Sequence, residues 1–71
     1  MRQSLNEIRD SIAEFEYHAN GLKHLNNSGV SVRNLKRIKG GYQADVILFI
    51  DDSVTERING CVYHDGGEWN R

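Results

Sequence analysis

The hydrophobic and polar positions of this chain follow a helical spacing first and a strand spacing afterwards. Over residues 4–26, apolar side chains recur at steps of three and four, which is the spacing of one stripe on an amphipathic helix. Ser4 and Glu7 form a capping box that predicts where this helix begins. The run Asn-Asn-Ser-Gly at 26–29 predicts its end. The stripe consists of Leu5, Ile8, Ile12, Phe15, Ala19 and Leu22.

Two features of the helical region leave alternatives open. Gly21 is a possible stop, although Leu22 and Leu25 continue the apolar pattern beyond it. The stripe also fits the a and d positions of a coiled coil, but flanking residues such as Arg9 and Glu16 make poor complementary charge pairs. We therefore expect the stripe to pack on a sheet.

Residues 42–50 form the densest apolar run of the chain. They follow Gly40-Gly41, precede Asp51-Asp52-Ser53, and are rich in β-branched and aromatic side chains, which indicates a strand. Every even position in the run is apolar, whereas the odd positions mix Gln43 and Asp45 with apolar residues. One face of this strand is therefore expected to be buried and the other partly covered, as in the middle strand of a small sheet.

Residues 30–38 are predicted to form the first strand, with a short helix as the alternative. A three-residue loop at 39–41 would place Ile38 opposite Tyr42, Val32 opposite Leu48 and Val30 opposite Ile50. A two-residue loop would shift the register by one and send the valines to the other face. Matching apolar to apolar residues favours the longer loop.

Residues 54–64 are predicted to form the third strand, with Val54, Ile58 and Val62 on the buried face. A capping box at 53–56 makes a helical turn the alternative there. A short fourth strand is allowed over 68–71, and Trp69 is expected to close one end of the core. The predicted class is α+β: one N-terminal helix on a three- to four-stranded antiparallel meander.

Length and composition limit the kind of protein. A chain of 71 residues corresponds to one small domain of marginal stability, for which oligomerisation is a plausible support. The single Cys61 excludes an internal disulfide and fits a reducing compartment. No apolar run approaches the length that spans a bilayer. We expect a cytoplasmic protein without a membrane partner.

Charge is unevenly distributed although the net charge is only −1. Residues 21–41 contain five basic residues and no acid, whereas residues 42–71 contain six acids and two arginines. Clustered cations are typical of phosphate contacts, although lysines also protect strand edges from pairing. The alternative function is therefore a nucleic-acid-binding regulator that uses Arg33, Lys36, Arg37 and Lys39.

Residues with catalytic or metal-binding chemistry do not form a recognised motif. Cys61 and His64 have a ligand-like spacing, but a structural zinc site needs four ligands, and in a regular strand these two side chains point to opposite faces. Asp51-Asp52 is an ordinary turn sequence. We expect no enzymatic activity, no catalytic residue, no metal and no cofactor.

The sheet face away from the helix is the best candidate for a binding surface, because one helix can cover only one face. The predicted register places Ile47 between two arginines on this face. Exposed apolar residues interleaved with arginine are typical of protein interfaces. The predicted partner-binding residues are Arg33, Ile47, Phe49, Arg57 and Tyr63, with Leu35 nearby.

These patterns predict a small non-enzymatic interaction protein. It is expected to bind and to inhibit or regulate a protein partner, and to form a homodimer. Stand-alone domains of this size are common among phage and mobile-element accessory proteins, so that origin is the expectation here.

Overall fold

The computed structural model describes residues 4–65 and 69, which form one α-helix and a three-stranded antiparallel sheet. Helix α1 is followed by a short 3₁₀ turn, and the strands lie in the spatial order β1-β2-β3. The predicted α+β class and α-β-β-β order are therefore confirmed. The bounds are Leu5–Ala19 for α1, Leu22–His24 for the 3₁₀ turn, Ser28–Ile38 for β1, Gly41–Ile50 for β2 and Ser53–His64 for β3.

The strand assignments are correct where helices were the alternatives. Residues 31–38 belong to β1 and residues 54–59 belong to β3. Of the predicted fourth strand, residues 68, 70 and 71 lie outside the described residues.

Helix α1 begins as predicted and ends earlier than predicted. The backbone N–H of Glu7 donates to the Ser4 hydroxyl at 3.3 Å, which is one of the two hydrogen bonds of a capping box. The Asn20 side-chain amide donates to the Glu16 carbonyl at 2.7 Å, and Gly21 then adopts φ +68°, a left-handed conformation that glycine accepts readily. The predicted end at 26 was wrong because this pair stops the helix at Ala19, and the 3₁₀ turn then carries Leu22 into the core.

The buried face of α1 keeps the middle of the predicted stripe and adds one residue to it. Ile8 and Ile12 are buried and Phe15 packs against the core, as predicted, and Glu16 is buried as well. Leu5, which is 38% exposed, and Ala19 are the stripe residues that do not reach the core. Ile8, Ile12 and Glu16 form a row spaced by four residues, which runs at an angle to the helix axis. The core consists of Ile8, Ile12, Leu22, Val32, Tyr42, Ala44, Val46, Leu48, Cys61 and Tyr63.

A buried hydrogen bond joins the helix to the last strand. The Tyr63 hydroxyl donates to Glu16 Oε2 at 2.6 Å, and both side chains are fully buried. The Asn20 amide donates to the other carboxylate oxygen at 3.2 Å. Burial, and then the bond to Glu16, raise the pKa of Tyr63 well above its usual range, so the phenol stays protonated and remains a donor. The hydrogen bonds from Tyr63 and Asn20 thereby satisfy the buried Glu16 carboxylate.

Trp69 packs against one end of the core, as predicted. Its indole N–H donates to the Ser11 hydroxyl on α1 at 2.8 Å. Its ring meets the rings of Tyr42 and Tyr63 edge-on, at centroid distances of 5.5 and 6.5 Å. Edge-to-face contacts are one of the arrangements that aromatic pairs prefer.

The β1–β2 hairpin has a two-residue turn, and the predicted three-residue loop was wrong. Ile38 lies opposite Gly41, with Gly40 in the turn at φ +82°. A β-bulge between Arg33 and Lys36 then places two β1 residues opposite one residue of β2. The bulge restores the predicted facing of Val32 toward the helix but leaves the register two residues from the prediction. Val32 lies opposite Val46 rather than Leu48, and Val30 lies opposite Leu48 rather than Ile50.

The predicted facing of β3 was also wrong in part, because β3 contains two bulges. One lies at Thr55 and the other at Asn59-Gly60, where Gly60 has φ +70°. Each bulge exchanges the two faces of the strand beyond it. Ile58 therefore faces the helix as predicted, but Val54 and Val62 lie opposite Phe49 and Gln43 on the far face, while Cys61 and Tyr63 enter the core.

Asp45 on β2 connects the bulges of both neighbouring strands. Its Oδ2 accepts a hydrogen bond from the Asn34 amide at 2.8 Å, and its Oδ1 accepts one from the Gly60 backbone N–H at 2.9 Å. Asn34 has φ +55°, so the carboxylate holds one positive-φ residue on each side. The bond from Asn34, followed by that from Gly60, lowers the pKa of Asp45 below its ordinary value.

We expect Asp45→Asn to destabilise the fold at neutral pH, because an amide has one acceptor oxygen and two donors point at this position. The folded-state pKa is lowered, so the carboxylate's contribution is complete above the unfolded pKa of about 3.9 and is lost as pH falls through the folded value. The variant should therefore lose less stability than the native chain on acidification below about pH 4. Urea denaturation of the variant and of the native chain, at neutral pH and below about pH 4, measures this difference in unfolding free energy.

The matched control for Asp45→Asn is Asp10→Asn, at an exposed position on α1. Equal stability of the two variants at neutral pH would show that Asp45 does not hold the bulges.

Substitution of Ile12 tests the packing of α1 on the sheet. Ile12 is 0% exposed, so Ile12→Ala should cost about 2–5 kcal/mol of unfolding free energy. Leu5→Ala, on the same helix but 38% exposed, should change it by about 0.5 kcal/mol or less. Urea unfolding followed by circular dichroism gives both values. If Ile12→Ala altered self-association and left the unfolding midpoint unchanged, the helix would be a coiled-coil arm instead.

Candidate functional site: the open face of the sheet

The sheet has one face toward α1 and one face away from it, here called the open face. In β2 the buried residues are Tyr42, Ala44, Val46 and Leu48, and the residues between them point the other way. Among the described residues, α1 is the only α-helix, and it packs on the buried side. The open face therefore presents its side chains outward.

Cross-strand pairing sets the layout of the open face. Ile47 lies between Ser31 on β1 and Arg57 on β3, and Phe49 lies between Gly29 and Val54. Residues directly opposite each other on neighbouring strands share a face, so these rows are side by side. A shallow groove crosses them, and its lining includes Arg33, Ile47, Phe49, Asp52, Val54 and Arg57.

Gly29 gives the Phe49 ring its place on the open face. A Cβ atom built on Gly29 would lie 2.6 Å from the ring carbon Cζ of Phe49, closer than any real contact. The aromatic ring therefore extends over the backbone of β1 and covers the glycine. This position spreads the apolar surface of the open face across two strands.

The arginines on this face carry charge without a partner in the described part of the chain. Arg33 and Arg57 are exposed, and the structure gives neither an ion pair with any described acid. Asp45 lies opposite Arg33 in the register, but its two oxygens accept the hydrogen bonds that hold the bulges. The guanidinium groups beside the apolar centre are thus available for an incoming carboxylate.

Four of the five predicted partner-binding residues come together on the open face. Arg33, Ile47 and Phe49, with Arg57, line the same groove. The prediction for Tyr63 was wrong, because this residue is fully buried on the helix side and its hydroxyl donates a hydrogen bond to Glu16. The bulge at Asn59-Gly60 is the physical reason, because it moves the odd-numbered residues beyond it into the core. Leu35, expected nearby, instead packs against the core.

The basic run proposed for nucleic-acid binding does not form one surface. Arg33 and Lys36 lie opposite Asp45 and Gln43, on the open face. Arg37 lies opposite Tyr42 on the helix side, with its guanidinium carbon 6.0 Å from the Tyr42 ring centroid. Lys39 belongs to the turn. Lys36 and Arg37 point to opposite faces because neighbouring strand residues alternate, and the bulge brings Lys36 rather than Arg37 to the face of Arg33.

The residues with ligand-type side chains remain apart. Cys61 is buried, and His64 is exposed at the end of β3. Asp51 accepts a hydrogen bond from the Asn27 side chain at 3.2 Å across the sheet. Within residues 4–65 and 69, no three His, Cys, Asp or Glu side chains are grouped so that they could hold a metal ion.

Three residues that shape the structure escaped sequence reasoning. Val54 was placed in the core by simple alternation, yet it is 49% exposed on the open face. Asp52, expected only as a turn residue, also lines the groove. Glu16 was expected on the flank of the helical stripe, where no local pattern indicated a buried carboxylate. The Asn-Gly pair at 59–60 was the one available signal, because that pair favours a positive-φ bulge.

Comparison of the chain with protein families, with curated proteins and with solved structures finds no match. Among the described residues, no helix has the length and apolar character needed to cross a membrane. The fold and the open face define a small α+β domain whose antiparallel sheet has one face that no described helix covers.

Proposed function

We propose that this chain is a non-enzymatic interaction protein that binds a protein partner through the open face and thereby inhibits or regulates it. One observation carries the proposal. Ile47, Phe49 and Val54 form a partly exposed apolar centre, and Arg33 and Arg57 flank it. Small domains rarely leave contiguous apolar side chains on a sheet face without a partner.

The energetics favour a protein surface as the occupant. Complete burial of one side chain such as Ile or Phe is worth roughly 1.5–3 kcal/mol, and the centre offers three that are only partly covered. Arginine at the edge of an apolar patch adds directional hydrogen bonds, and it is enriched among the residues that dominate binding energy. An apolar centre with charged neighbours matches the usual anatomy of a protein interface.

The charges of the face indicate the partner's chemistry. The two arginines offer planar donors that carboxylates match in pairs. The partner surface is therefore an apolar patch bordered by Asp or Glu side chains, or by a chain-terminal carboxylate. Asp52 at the end of the groove would repel a carboxylate placed there, so the acidic groups are expected beside Arg33 and Arg57.

Replacement of the apolar centre tests this function. Ile47→Asp together with Phe49→Ser should leave the fold intact and abolish recovery of the partner in a pull-down from the native host, read by mass spectrometry. Circular dichroism checks the fold. Leu25→Asp is the control, because Leu25 is an exposed leucine, at 45%, that lies outside the groove.

The outcomes of the pull-down separate the alternatives. Loss of the same protein from the double variant, with the control unchanged, supports the open face as the binding surface. Recovery of the same protein by the folded double variant would place the working surface elsewhere. Recovery that disappears on nuclease treatment, and that falls steeply with salt, would favour the nucleic-acid-binding reading over this proposal.

A further inference from the structure

Strand β1 is an edge strand whose first half follows a regular register. From Ser28 to Arg33, each residue faces one residue of β2 without interruption. No described strand lies on its other side, because the sheet order is β1-β2-β3. Alternate backbone N–H and C=O groups of residues 28–33 therefore point away from the sheet without a strand partner, a ready template for another strand.

The other edge segments of this sheet carry the devices that discourage pairing. β3 is broken by bulges at Thr55 and at Asn59-Gly60, and it carries Glu56 and Arg57. The second half of β1 has its own bulge and is strongly basic. Residues 28–32, with the sequence Ser-Gly-Val-Ser-Val, have no charge, no proline and no bulge. Such an unprotected edge is where a strand is expected to pair.

Access to this edge is open on the helix side. A groove runs between the N-terminal half of α1 and β1, and it is lined by Leu5, Asn6, Arg9 and residues 31–35. Leu5, although part of the predicted apolar stripe, is 38% exposed there. The described part of the chain thus leaves room beside residues 31–33 of β1 for a further element.

We infer that a second copy of this chain occupies the edge, with residues 28–33 of the two copies paired as antiparallel neighbours. A two-fold axis at Ser31 places Ser31 opposite its equivalent, Val30 opposite Val32, and Gly29 opposite Arg33 of the other copy. No like charges face each other in this register. The segment is short and residues 28–32 are uncharged, so it offers no charge pattern that would select a charged strand of another protein. This inference does not depend on the proposed function of the open face.

The dimer has a defined consequence for the open face. Residues directly opposite each other across an antiparallel pair point to the same side. The two three-stranded sheets therefore become one six-stranded sheet with both helices on one side and both open faces on the other. The dimer presents two copies of the Ile47 and Phe49 centre on one continuous surface.

The experiment combines mass measurement with a designed cross-link. Sedimentation velocity of the native chain should show twice the 8.1 kDa monomer mass as concentration rises. Ser31→Cys should give a disulfide-linked dimer under mild oxidation, because facing residues of antiparallel strands have Cα atoms about 4.5–5.5 Å apart, within the range that a disulfide spans. Thr55→Cys, on the opposite edge, is the control and should remain monomeric on a non-reducing gel.

A charge series then distinguishes the three surfaces on which dimers could form. Ser31→Glu places like charges face to face and should weaken the dimer about fivefold. Thr55→Glu on the other edge and Ile47→Asp on the open face should leave the dimer mass unchanged.

The proposal is overturned if the native chain stays monomeric at its highest soluble concentration. It is equally overturned if Ile47→Asp or Thr55→Glu abolishes the dimer, whatever Ser31→Glu does, because Ser31 also lies opposite Ile47 on the open face. Circular dichroism of each variant shows whether a lost dimer reflects a lost fold.

Discussion

The Asp45 carboxylate is the interaction on which the arrangement of this sheet depends. It accepts one hydrogen bond from the Asn34 side chain on β1 and one from the Gly60 backbone on β3. Both donors belong to bulges, and both residues have positive φ. A single side chain on the central strand thus stabilises the irregular positions of both outer strands. Because each bulge exchanges the faces of its strand, these bonds determine which side chains reach the core.

Two functional features follow from the position of the bulges. On the buried side, the bulge at Gly60 brings Tyr63 under the helix, where its hydroxyl satisfies the buried Glu16 carboxylate. On the open side, the bulges leave Val54 beside Phe49, which completes the apolar centre. The same irregularities also interrupt β3 and the second half of β1 as edges. The regular first half of β1 is the remaining edge at which strand addition is favoured.

Much of the open face could be predicted because it depends on the most regular strand. Ile47 and Phe49 alternate with buried residues of β2, and this alternation is unbroken through the run. Arg57 was placed correctly opposite Ile47. Arg33 was placed on the correct face but lies opposite Asp45 rather than Ile47, because the shorter turn and the bulge together shift the register of β1 by two residues. Tyr63 was misplaced, because the two bulges of β3 and a β2–β3 turn one residue shorter than predicted together shift its register by one residue. The alternation of apolar and polar residues along a strand does not show where a bulge inserts an extra residue.

The sequence by itself determined the order of the elements, the start of α1 and the strand that forms the centre of the sheet. These depend on local patterns: a capping box, a helical spacing and a dense β-branched run between turn residues. Only the tertiary structure decided the hairpin register and the faces of the outer strands, whereas α1 ends at a local signal, the Asn20-Gly21 pair, that competes in the sequence with a continuing apolar pattern. The reason is physical, because a carboxylate on one strand holds a side-chain amide 11 residues away and a backbone N–H 15 residues away. Bonds between such distant residues select bulges that no local preference specifies.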